Sequence, residues 1–134
     1  MKKRPDLHQP SPSRIRKIKA ERWGRFAEYW VALCLIMRGY RILHFRYRCP
    51  YGEIDLVTRK RQKIHFIEVK FRRNDDHIAQ ALPSYKSLSR LKATAAHFMA
   101  NMPKGDKFDQ DFSVVVVSKT LQLTWFNHAL YDIS

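Results

Sequence analysis

The segment at residues 53–70 constrains this chain more than any other. It reads Glu-Ile-Asp-Leu-Val-Thr-Arg, a basic break of Lys-Arg-Gln, then Lys-Ile-His-Phe-Ile-Glu-Val-Lys. Two short runs rich in β-branched and aromatic residues with a polar break predict two strands, 53–59 and 63–71. With Arg61 and Gln62 as a two-residue loop, Lys60 faces Lys63 and Asp55 falls directly opposite Glu68. Directly opposed residues have Cβ atoms about 4.5–5.5 Å apart. Lys70 is two residues beyond Glu68 and points to the same face. That face carries Asp55, Val57, Ile64, Phe66, Glu68 and Lys70; the other carries Ile54, Leu56, Ile67 and Val69. Apolar residues on both faces predict strands covered on both sides.

Two carboxylates and a lysine are costly in such a place, because opposed like charges weaken a sheet and buried charges need partners. A divalent cation between the carboxylates removes that cost. Hard oxygen ligands hold Mg²⁺ or Mn²⁺, and an adjacent lysine suits phosphodiester hydrolysis by handling the attacking water. The same residues also fit a plain salt bridge between Lys70 and either acid.

The rest of the chain supplies layers around this hairpin. A long helix is expected over residues 13–38, capped by Ser13 and ended by Gly39. Its second half, 29–37, is apolar all round and is expected to be buried on most sides. Residues 40–48 read as a strand and 49–52, Cys-Pro-Tyr-Gly, as a turn. Residues 74–76 open a loop. A second helix over 83–100 places Leu88, Leu91, Ala95 and Phe98 on one face. A loop at 103–109 and strands at 113–117 and 121–126 complete the chain. The order predicts an α/β fold, a mixed sheet flanked by helices, with a crossover between the third and fourth strands.

Charge narrows the partners. There are 26 Lys and Arg against 12 Asp and Glu, a net of +14 that favours polyanions. Residues 1–25 hold nine basic and two acidic residues, so half of the net charge sits in the first fifth of the chain. Residues 1–13 are expected to be a basic flexible tail, either lying along phosphates or simply solvated, and 14–134 a single domain. Cys34 and Cys49 do not make a disulfide framework, and no secretory signal is visible. The longest apolar run, 29–37, is far short of a bilayer span. No membrane partner and a cytoplasmic location are the expectations.

Several motifs together resemble a known family: Gly-Arg-Phe-Ala-Glu at 24–28, Gly-Tyr-Arg-Ile-Leu at 39–43, Gly-Glu-Ile-Asp-Leu-Val at 52–57, Phe-Ile-Glu-Val-Lys at 66–70, then Lys86 and Arg90-Leu91. In this order and spacing they resemble the YraN-like family of uncharacterised bacterial proteins. That family is similar to the restriction-endonuclease-like, or PD-(D/E)XK, superfamily and within it to Holliday-junction resolvases. The resemblance implies a three-layer fold with a mixed central sheet and makes Asp55, Glu68 and Lys70 the catalytic residues. It implies Glu28, Asp55 and Glu68 as metal ligands for Mg²⁺ or Mn²⁺. Two departures stand out. A Lys-Arg-Gln break replaces the usual Asp-Gly-type turn, and Ser113 stands where an acid is usual.

The expected activity is therefore metal-dependent hydrolysis of DNA, branched or flap structures among its substrates. Arg46, Arg48, Arg72 and Arg73 flank the motif strands, and Lys86 and Arg90 share a helix face; all six are candidate phosphate contacts. Tyr47 and Tyr51 stand near the turn before Glu53, for packing or for stacking on a base. Trp23, Trp30 and Trp125 are assigned to packing. A homodimer would suit a branched substrate. Two other readings remain: a non-catalytic nucleic-acid-binding module on the same fold, or an accessory protein whose basic arm docks on an acidic partner.

Overall fold

The computed structural model describes residues 11–72 and 85–127. Helix α1, Pro12–Met37, is followed by β1 (Arg41–Cys49), β2 (Gly52–Lys60) and β3 (Lys63–Arg72). Helix α2 (Tyr85–Asn101), a 3-10 turn at Gly105–Lys107, β4 (Asp109–Ser118) and β5 (Leu123–Asn127) complete the order. The five strands of the described residues lie in one sheet in chain order. β3 and β4 pair in parallel, and the other neighbours are antiparallel. Only the parallel pair needs a crossover, and α2 lies in it.

The two helices cover opposite faces. Ala27, Val31, Ala32 and Leu35 of α1 pack on Leu56, Ile67, Val115 and Val117. Ala95 of α2 packs on Ile54, Val57, Ile64 and Phe66, with Leu91 and Phe98 beside them. Leu88 is also buried. This is the expected three-layer restriction-endonuclease-like arrangement, a mixed sheet between helices.

Three local expectations change. Ser11, not Ser13, caps α1, its side chain accepting from the Arg14 N–H at 3.3 Å, so residues 12 and 13 belong to the helix rather than to a tail. Pro12 suits the first helical position, where the missing N–H is no loss. The apolar half of α1 is covered on one side only: Tyr29 is 63% exposed, Leu33 50% and Met37 80%. A single sheet can cover only one stripe of a helix. Finally, Ile54 packs on the α2 face with Val57, not with Leu56. The expected loop at 74–76 and most of the expected tail lie outside the described residues.

Candidate active site

The hairpin register is the expected one as far as Leu56–Ile67, where the ladder ends one position short of the expected Asp55–Glu68 pair. Lys60 pairs with Lys63, and the ladder continues through Arg59–Ile64, Thr58–His65 and Val57–Phe66 to Leu56–Ile67. Arg61 makes the two-residue turn by taking a left-handed conformation at φ 57°. Asp55 is the next position. There the Val69 N–H donates to Asp55 Oδ2 at 2.8 Å, so the carboxylate lies between the two strands.

Asp55 sits where two strands lose phase together. In β1, Phe45 meets Tyr29 of α1, whereas Tyr47 meets Phe98 of α2. In β2, their partners Leu56 and Ile54 divide between the same two faces. Residues two apart on a strand share a face unless the backbone turns between them. In β1 it turns at Arg46, whose φ is 50°; in β2 the change of face falls at Asp55, between Leu56 and Ile54. A non-glycine residue in this region costs on the order of 1 kcal/mol or more, and such strain collects at functional sites.

Arg46 turns to α1, its Nε 2.8 Å from Glu28 Oε2, with the Glu28 side chain 14% exposed. That bond holds the guanidinium pKa above its usual value. On β3, Lys70 Nζ lies 2.9 Å from Glu68 Oε1. Glu68 Oε2 is buried with no hydrogen-bond partner among the described residues. A gap of about 10 Å³, room for roughly one water-sized guest, borders Glu68, Ile54, Leu91 and Phe112. Burial raises the Asp55 pKa to about 6, the Val69 N–H opposing; Glu28 and Glu68 raise it further and Lys70 lowers it. Glu28, Asp55, Glu68 and Lys70 thus share one electrostatic environment drawn from three elements.

The donor set suits a hard divalent cation in chemistry. Asp55 is a carboxylate whose ionisation burial and like charge resist, and Glu68 carries a buried oxygen with no hydrogen-bond partner among the described residues. Both defects are relieved by a bound cation. Among the described residues, however, no three His, Cys, Asp or Glu groups converge closely enough to form a metal-holding cluster. Glu28 is engaged with Arg46 instead.

The candidate phosphate contacts scatter. Arg48 Nε pairs with Glu53 Oε1 at 2.6 Å on the exposed surface. Arg48 and Arg90 line one shallow depression with Tyr51 and Glu53 at the β1–β2 turn. Arg72 Nη1 donates to the Phe71 carbonyl at 2.9 Å. Lys86 and Arg90 are both exposed on α2. Arg73 lies outside the described residues. Tyr47 is a packing residue, its hydroxyl bonded to His97 Nδ1, while Tyr51 is 56% exposed.

Sequence reasoning missed two features. Arg46 was read as a phosphate contact, and its left-handed backbone and inward pairing carry no sequence mark. His65 and Asp111 form a pair at 3.5 Å with both side chains nearly buried. The parallel register His65–Asp111 is what brings them together. Ser113, two residues on, is buried opposite Ile67.

Among the described residues no helix is long and apolar enough to cross a membrane. Residues 27–117, which include every member of the acidic and lysine cluster, match the Uncharacterised protein family UPF0102. The UPF0102 protein Atu0303 of Agrobacterium fabrum is 42% identical over 99 residues, 74% of this chain and 80% of its own. A UPF0102 protein of Nitrobacter winogradskyi is 39% identical over 102 residues, 76% of this chain and 86% of its own. One of Rhodopseudomonas palustris is 38% identical over 120 residues, 88% of each chain. The chain therefore belongs to the uncharacterised family UPF0102, the YraN-like proteins that its motifs resemble.

Proposed function

We propose that this protein is a metal-dependent nuclease of the PD-(D/E)XK type, hydrolysing phosphodiester bonds in DNA, branched or flap structures included. One observation carries the reading most. Asp55, held at a raised pKa between two strands, shares its surroundings with an orphaned Glu68 oxygen and the amine of Lys70. A purely structural site would be expected to satisfy such groups rather than leave them poised.

Asp55 and Glu68 would hold Mg²⁺ or Mn²⁺, with Glu28 as the additional acid. When bound, such an ion polarises the phosphate and acidifies a coordinated water. Lys70, steered by Glu68, would orient the attacking water or stabilise charge on the phosphate. Arg46 holds Glu28 in place from across the sheet edge. Arg48, Arg72, Arg73, Lys86 and Arg90 would contact phosphates without reading sequence. The protein would work in the cytoplasm, and a homodimer would match the symmetry of a branched substrate.

A second reading has an observation in its favour. The Lys70–Glu68 pair neutralises part of the cluster without any metal, as a non-catalytic nucleic-acid-binding module would need. Isothermal titration with Mg²⁺ and Mn²⁺, with and without DNA, separates the two. Saturable binding in the wild type, lost in Asp55→Ala, is the expected result. Absence of binding both with and without DNA would favour the second reading.

A further inference from the structure

Two aromatic residues of α1, Trp23 and Phe26, are exposed in a way that core packing does not require. Trp23 of α1 lies nearly parallel to Phe71 of β3, with ring centroids 5.5 Å apart and planes 13° from parallel. Phe26 stands edge-on to Trp23 at 5.9 Å and 88°. Phe71 occupies one face of the indole, yet Trp23 remains 43% exposed and Phe26 46%. Lys19 and Arg22 line the same open depression, about 580 Å³ in volume. Packing is the expected role of Trp23, and among the described residues only one of its faces packs.

The location gives this patch a meaning. Phe71 follows Lys70 directly on β3, and Trp23 precedes Glu28 by five residues on α1. Phe71 nonetheless points to the opposite face of β3 from Lys70, onto the core under α1, so the patch lies on the α1 side of the sheet, about 7.5 Å along the helix axis from the position of Glu28. Successive bases of an unpaired strand stack on aromatic faces, and cations beside them take the backbone phosphates. A paired duplex has no free base face to offer. The cations at the patch and the net charge of +14 favour a polyanion over an apolar partner.

We infer that Trp23, Phe26 and Phe71 form a stacking platform for an unpaired base, with Lys19 and Arg22 holding the adjacent phosphates. The inference rests on the nuclease reading and refines it: the substrate carries a single-stranded segment, held on the α1 side of the sheet.

The test is binding of a fluorescent oligo-dT strand, and of a duplex of equal strand length, in EDTA so that no cleavage is needed. The wild type, Trp23→Leu and Trp23→Phe are compared. Stacking on one aromatic side chain is worth about 1–3 kcal/mol, roughly 5- to 150-fold in affinity. Trp23→Leu is expected to lose that much on the single strand and less than about twofold on the duplex, with Trp23→Phe close to wild type. If circular dichroism shows that Trp23→Leu is misfolded, Phe26→Ala replaces it with the same expectation. Equal losses on both substrates, or no loss on the strand, would overturn the platform. So would sedimentation showing the patch closed in a dimer that Trp23→Leu dissociates. Failure of the nuclease reading is distinguishable: selective loss of strand binding alongside absent cleavage by the wild type would leave the platform standing as a binding site.

Discussion

At the scale of single residues, Asp55 carries a consequence for stability. Its folded pKa of about 6 lies above the ordinary 3.8, chiefly through burial. The folded state therefore holds this proton more tightly than the unfolded state. Stability falls as pH rises from about 4 to about 6, by an amount on the order of 3 kcal/mol, and is not recovered above that. Asp55→Asn keeps an oxygen for the Val69 N–H and removes the charge. In EDTA it is expected to melt above the wild type at pH 7.5, with the gap closing as pH is lowered to 4. A gap independent of pH would mean that Asp55 is not charge-strained. Residue identity alone disclosed that two acids and a lysine were candidates. The orphaned Glu68 oxygen was not legible there, because burial of one carboxylate oxygen depends on Ile54, Leu91 and Phe112 closing around it.

At the scale of elements, the paired loss of phase at Arg46 and Asp55 builds the site. The hairpin register was readable because a two-residue break fixes every later pair, and Arg61 tolerates the backbone that the turn demands. The face assignment of Ile54 was not readable, since strict alternation assumes an undistorted strand. Glycine would have flagged the turn in β1, but the position holds Arg46. Replacement separates its two contributions. Arg46→Ala loses the partner of Glu28 and keeps the strain, and is expected to destabilise by about 1–3 kcal/mol. Arg46→Gly loses the same pair but relieves the backbone, and is expected to be about 1 kcal/mol less damaging in urea unfolding. If Gly is no better than Ala, the strain is not stored there. Gly52 shows the reverse case. It holds φ 152°, and a Cβ there would lie 3.1 Å from Thr94 Oγ1 of α2. Gly52→Ala is expected to cost about 1–3 kcal/mol by pushing α2 from the β1–β2 turn, measurable as a lower urea midpoint.

At the scale of the whole molecule, charge and exposure decide what approaches it. A net of +14 implies an affinity for DNA that falls linearly in log–log form with salt. Lys86→Ala and Arg90→Ala, both exposed on α2, are each expected to flatten that slope by about one. An unchanged slope would remove them from the phosphate path. The three-layer fold was legible from strand and helix order, since a helix between two parallel strands leaves few topologies. Which side of α1 meets the sheet was not, because its residues 29–37 are apolar around the whole circumference and only the packing of Val31 and Leu35 selects a side. The same ambiguity concealed Trp23 and Phe26, whose exposure follows from that choice.

In the proposed mechanism Asp55, Glu68 and Lys70 hydrolyse phosphodiester bonds. Cleavage of a panel of branched, flap, single-stranded and duplex DNAs in Mg²⁺ or Mn²⁺ tests it most directly, with the wild type, Asp55→Asn and Lys70→Ala purified side by side. The expected result is cleavage of at least one structured substrate by the wild type, abolished by EDTA and in both variants, while both still bind the DNA. Cleavage that persists in Asp55→Asn and Lys70→Ala, or none by the wild type in either metal, would contradict it.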